Sequence, residues 1–184
     1  MIRLPGSVIE IDEGRILYGF ANLSPLFSAT KGLTLSQVCE IAGAETTTVQ
    51  NWVKRGWVAH PIDKRYHEQH LARILILNML KSEFQLEKIG VLLRYINGSP
   101  DDRNDDTLPD SDFYTYLCVV IDSVLRQNLT EIPDIRAAVR LQIAAFREPY
   151  AGAKEKLETV LTIMTLTYFA STIREKALSL FGDL

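Results

Sequence analysis

The chain of 184 residues has only two cysteines, Cys39 and Cys118, far apart in sequence and without companions. That excludes a disulfide framework and a thiolate metal cluster, and it fits a reducing cytosol in which each thiol is a small buried hydrophobe. No block of like charge runs beyond a few residues, so a solvated tail is not expected. No apolar run reaches the ~20 residues of a membrane span, because threonines interrupt the run around 160–170. The first nineteen residues carry Arg3, Glu10, Asp12, Glu13 and Arg15, which does not read as a signal peptide. These absences predict a cytoplasmic protein with no membrane partner.

Catalytic signals are also missing. There is no Gly-rich phosphate loop, HExxH, GxSxG or usefully spaced Cys/His pair. His67 and His70 have an i, i+3 spacing that could hold a metal, but no third ligand is near, and zinc needs three or four. The sequence predicts no enzyme, no metal and no cofactor.

What is there is a hydrophobic fraction of 47%, enough for one substantial core or a small head and body. The net charge of −3 is unevenly spread. Residues 31–98 hold nine basic and six acidic side chains, and residues 99–184 nine basic and fourteen acidic. The basic third also has the clearest pattern. Thr34, with Gln37 three residues on, reads as a capping box. Val38, Ile41 and Ala42 come next as a buried face, and Gly43 as a stop. Glu45–Thr48 starts a second helix that buries Val49, Trp52 and Val53, and Gly56 closes it. Trp57–Pro61 and Asp63–Tyr66 flank a turn and would pair as a two-stranded wing. A third helix is expected from His67 or Glu68 to about Ser82–Phe84, and a fourth over Gln85–Tyr95.

Together these make a helix-turn-helix with a wing, a shape that places one helix in a DNA major groove. Thr46, Thr47, Thr48, Gln50 and Asn51 lie on the exposed start of the second helix, where hydroxyls and amides can reach base edges. Lys54, Arg55, Lys64, Arg65 and a candidate Arg73 would neutralise phosphates. The alternative for both sets is a solvated, well-capped surface. Tyr66 could donate to a phosphate or pack the wing base, and Trp57 is ambiguous between core and stacking.

Residues 33–98 resemble the DNA-binding head of the MerR family. The resemblance is carried by Leu35–Gly43, Thr48–Val58 with its Asn51-Trp52-Val53-Lys54-Arg55-Gly56 core, Lys64-Arg65-Tyr66, and the helices holding Leu71–Leu80 and Phe84–Ile89. With the preceding Pro25–Ser36 they more closely resemble an uncharacterised bacterial family of MerR-like proteins. The resemblance implies a winged helix-turn-helix and dimeric binding to spaced half-sites of double-stranded DNA. Gln50, Val53 and Lys64 stand where such heads commonly carry Arg, Glu and Arg.

Residues 97–111 are polar, acidic and rich in turn formers, which predicts a linker over 99–110. Helical patterns then cover 112–127, 131–147 and 153–181. The expected architecture is mainly α: a head over 1–98 and a helical body over 111–184 that dimerises or binds an effector. The expected function is a sequence-specific transcription regulator acting as a homodimer. The alternatives are a protein-interaction module using the same surface, or a ligand-sensing helical domain with a small-molecule effector.

Overall fold

Thr34 and Gln37 close the capping box at the start of a helix. The Thr34 hydroxyl accepts from the Gln37 N–H, and the Gln37 side chain accepts from the Thr34 N–H at 2.9 Å. In the computed structural model, which describes residues 1–28, 30–98 and 106–182, this helix is the second of a mainly helical fold. Strands β1 (Ile2–Arg3) and β2 (Glu10–Ile11) pair antiparallel, with Ile2 opposite Ile11 and Arg3 opposite Glu10. A 3-10 segment covers Glu13–Asn22, succeeded by α1 (Pro25–Ser28), α2 (Leu35–Ala42), α3 (Thr46–Lys54), α4 (Glu68–Leu80) and α5 (Leu86–Asn97). Then come α6 (Asp110–Gln127), α7 (Ile132–Gln142) and α8 (Ala153–Gly182).

The two-stranded sheet therefore lies at the N-terminus and not in the expected wing. Residues 57–66 form a tighter device. Ile62 and Arg65 exchange N–H···O bonds of 3.0 and 2.8 Å around Asp63 and Lys64, at φ of 48° and 61°. Positive φ at both central residues is the twist a two-residue hairpin needs. The outer edge is held by Leu33 and Tyr66, which exchange two bonds of 2.8 Å. The wing is thus one short hairpin clipped to the chain just before α2.

One hydrophobic cluster runs from Leu4 to Met164. At its centre α4 is buried nearly all round, so its sequence shows no clean amphipathic face. The 3-10 segment lies on α6. The Phe20 N–H donates to Thr115 Oγ1 at 3.1 Å, and the Phe20 ring meets Tyr114 edge-on at 6.1 Å. Gly19 makes that approach feasible: its φ is +52°, and a Cβ there would stand 2.5 Å from Thr115 Cα.

The linker expected over 99–110 falls largely on residues 99–105, outside the described residues. Thr107 and Leu108 are tightly held. Asn97 Oδ1 accepts from the Thr107 N–H at 3.1 Å, and Asn97 Nδ2 donates to the Leu108 carbonyl at 2.7 Å. The Thr107 hydroxyl contacts the Ile96 carbonyl and lies 2.7 Å from Tyr150 Oη. Helix α6 begins two residues earlier than its apolar pattern suggests, because Asp110 has a buried partner in Arg73. Helix α7 stops at Gln142, short of the expected Arg147. Ile143 closes it, and Pro149 keeps the residue before it out of the helical region.

Candidate nucleic-acid interface

Gly43 (φ 61°) ends α2 in the left-handed conformation that a residue without Cβ adopts freely. The Ala44 N–H donates to the Cys39 carbonyl at 3.0 Å and Glu45 takes the N-cap position of α3. This short turn sets α3 across α2. Val49, Trp52 and Val53 go into the core, and Thr46, Thr47, Gln50, Asn51, Lys54 and Arg55 stay exposed, with Thr48 half-buried. One face of α3 anchors and the other presents hydroxyls, amides and cations.

The hairpin tip adds Lys64 and Arg65, both exposed. Among the described residues no carboxylate pairs with Lys54, Lys64 or Arg65. Arg55 is different. It lies 3.5 Å from Glu87 and 5.1 Å from the Trp57 ring centroid, so it also braces α3 against α5. Trp57 itself is buried, and a Cβ on Gly90 would stand 3.1 Å from its indole nitrogen, which settles Trp57 as packing.

Two of the sequence candidates are interior. Arg73 is 3% exposed, and its Nε donates to Asp110 Oδ2 at 3.0 Å, so it cannot serve as a phosphate contact. Tyr66 is buried, with its ring edge-on to His70 at 5.8 Å. Burial raises the phenol's pKa, with a smaller contribution from Cys39.

The histidine pair is structural. His70 Nδ1 accepts from the His67 N–H at 3.0 Å, which leaves Nε2 to donate to the His60 carbonyl at 3.0 Å. His70 thereby caps α4 and ties it to the wing. The i, i+3 spacing that suggested a metal is the spacing of a capping box. Among the described residues no group of three or more His, Cys, Asp or Glu is placed to hold a metal. Among the same residues no helix is long and apolar enough to cross a membrane.

Two features around this face escape the sequence pattern. The Leu33–Tyr66 clip joins residues 33 positions apart, and pairing at that distance leaves no local signal. Lys81, exposed and 5.9 Å from the Trp52 ring, lies just past α4.

The segment that builds this face has relatives. Residues 31–117 match a family described as a domain of unknown function, DUF1836, and the match runs from the wing clip into α6. The chain is also 27% identical over 169 residues to the Uncharacterized protein YkrK of Bacillus subtilis (strain 168), covering 85% of this chain and 72% of that protein. No solved structure matches significantly. The matched range spans both Arg73 and Asp110.

Proposed function

We propose that this chain is a sequence-specific DNA-binding transcription regulator built on a MerR-like winged helix-turn-helix and acting as a homodimer. The observation that supports it most is the division of α3. Its anchoring side is buried on Val49, Trp52 and Val53, and its other side holds exposed Thr46, Thr47, Gln50, Asn51 and Lys54 with nothing packed over them. A helix so presented fits the major groove, where Asn and Gln read adenine edges.

The adjacent Lys64 and Arg65 supply phosphate contacts that fix register. Lys64 is held at φ 61°, an uncommon conformation for a residue with a Cβ, by the Ile62–Arg65 hydrogen bonds that close the hairpin tip. A dimer is part of the reading because one head with so few base contacts gives little specific affinity. The test is an electrophoretic shift with fragments of the chain's own locus at near-physiological salt. Salt-sensitive retardation of some fragments supports the reading, and no retardation of any fragment overturns it.

The effector reading draws on a groove of about 670 Å³ between the N-terminal hairpin, the end of α4 and α8. Lys81, Glu175 and Lys176 stand on its rim. A thermal shift of the whole chain with small polar anions would support a sensor, and a flat screen would count against it.

A further inference from the structure

The groove of about 670 Å³ has two unlike walls. One is the N-terminal arm, with Ile2, Leu4, Pro5 and Val8. The other is a stripe of α8 at helical spacing, Tyr168, Ser171, Thr172, Glu175, Lys176 and Ser179. Arg3 on β1 and Lys81 just past α4 also line it. The volume and the pairing of an apolar wall with a few polar groups are those of a small-ligand site.

The arm wall is fixed in place by three elements. Tyr114 Oη donates to the Pro5 carbonyl at 2.7 Å, and the Val8 N–H donates to the Ile41 carbonyl at 3.0 Å. Asn78 Nδ2 bridges the Gly6 carbonyl (2.9 Å) and the Ala42 carbonyl (2.7 Å). The arm is thereby bolted to α6, α4 and the end of α2, and a wall held this way needs little ordering on binding.

The polar groups choose the ligand. Among the described residues neither Lys81 nor Lys176 has a carboxylate partner, and Arg3 reaches Glu10 only at 3.9 Å. Glu175 is the one carboxylate lining the groove with them. Three cations against one carboxylate match a phosphate monoester, which carries about −1.5 to −2 near neutral pH, better than a single carboxylate. The Ser171 and Thr172 hydroxyls each donate to the Tyr168 carbonyl at 2.9 Å, so their oxygens are left as acceptors. With Glu175 they make the α8 wall seek donors. A phosphate that also carries hydroxyls, on a ring with an apolar face, meets the cations, the acceptors and the arm together.

We propose that this groove binds a sugar phosphate, free or within a mononucleotide, and that Lys81 transmits its presence to α3. Lys81 Nζ lies 5.9 Å from the ring centroid of Trp52, one of the buried anchors of α3. A phosphate that draws the ammonium into the groove weakens that cation–π contact. Ala42 and Gly43, the end of α2 and the turn into α3, line the same groove. The inference rests on the effector reading above and gives it a ligand class and a route to α3.

The test uses the whole chain and needs no DNA. Calorimetric titration with ribose phosphate and with adenosine monophosphate is expected to show one site, and inorganic phosphate or adenosine to bind at least about tenfold more weakly. Lys176→Ala is expected to weaken binding about tenfold, the loss of one charge-assisted hydrogen bond, with unchanged helical circular dichroism. In Trp57→Phe, which leaves Trp52 as the sole tryptophan, saturating ligand is expected to change the emission, and adding Lys81→Ala to abolish that change. No binding of either sugar phosphate, equal binding of inorganic phosphate, an affinity untouched by Lys176→Ala, or a Trp52 emission unmoved at saturation overturns the proposal. A thermal shift with citrate and none with the sugar phosphates would sink this ligand class while leaving the effector reading in place.

Discussion

Arg73 and Asp110 form a buried ion pair, Nε to Oδ2 at 3.0 Å, that joins the middle of α4 to the first turn of α6. Asp110 Oδ1 also accepts from Asn97 Nδ2 at 3.2 Å, and next door Gln69 bonds both the hydroxyl (2.7 Å) and the N–H (3.0 Å) of Ser111. The charges are neutralised and hydrogen-bonded, so the pair fixes the angle between the helix under α3 and the helices after it. Removing one partner leaves the other charge buried and alone. Asp110→Ala is expected to destabilise the fold by about 3–5 kcal/mol in urea unfolding, and Arg73→Met with Asp110→Leu by much less than the two single losses added together. Additive losses would show that the pair does not act as a unit.

Gly19 sits where the 3-10 segment touches α6, at positive φ and with Thr115 Cα in the place of its missing Cβ. Gly19→Ala is expected to cost about 2–4 kcal/mol, from backbone strain plus forced separation of the two elements. Thr115→Ala should be mild by comparison, since it loses only one hydrogen bond to the Phe20 N–H. Equal losses from the two changes would contradict the packing argument.

Cys118 is fully buried against Tyr114, and burial drives both pKa values up, the Tyr114 phenol well above its usual 10.0 and the Cys118 thiol far above its usual 9.0. In the unfolded chain both groups ionise near their usual values. Above about pH 9 for Cys118 and about pH 10 for Tyr114 the folded state therefore binds more protons than the unfolded state, and stability falls as pH rises, approaching about 1.4 kcal/mol per pH unit for each group once its unfolded form is ionised. Melting temperatures between pH 8 and 10.5 should show the decline, shallower in Cys118→Ala measured against its own pH 8 value. Alkylation of Cys118 in the native state should proceed only at the rate of unfolding.

Lys64 lies in the left-handed region at the hairpin tip. Lys64→Gly is expected to stabilise the fold by up to about 1 kcal/mol, because glycine takes that conformation without strain. On the proposed function the same change weakens DNA binding on every sequence alike. Gln50→Ala and Asn51→Ala should instead change which sequence is preferred and leave the salt dependence nearly unchanged. A Lys64→Gly variant that is both more stable and undiminished in DNA binding would remove the wing from the interface.

Local rules made parts of this fold legible. The Thr34–Gln37 box, the Gly43 stop and the α3 anchors Val49, Trp52 and Val53 each arise from spacing within one turn, and all are present. The features that stayed hidden depend on distant partners. Arg73 reads as one more basic residue until Asp110, 37 positions on, is placed beside it. The sequence sets His67 and His70 aside as a metal pair, but that His70 caps the His67 N–H shows only in the fold. The wing reads as paired strands, but its turn uses positive φ at Asp63 and Lys64 instead of the Asn-Gly that would announce it, and its long edge is shared with Leu33. The N-terminal β1–β2 pair is two residues a side, and only the weak alternation Val8-Ile9-Glu10-Ile11, a short strand or an extended lead-in, hints at it in the sequence.

The most direct test of DNA binding is a fluorescence-anisotropy titration of the whole chain against labelled fragments of its own locus over a series of salt concentrations. With Lys54, Lys64 and Arg65 on phosphates, log affinity is expected to fall against log salt with a slope of about −3 per protomer, and Lys64→Ala with Arg65→Ala should make it shallower by about 2. Tight binding to particular fragments with that slope is the predicted result. Absence of binding at low salt, or a slope that the double variant leaves unchanged, would contradict it.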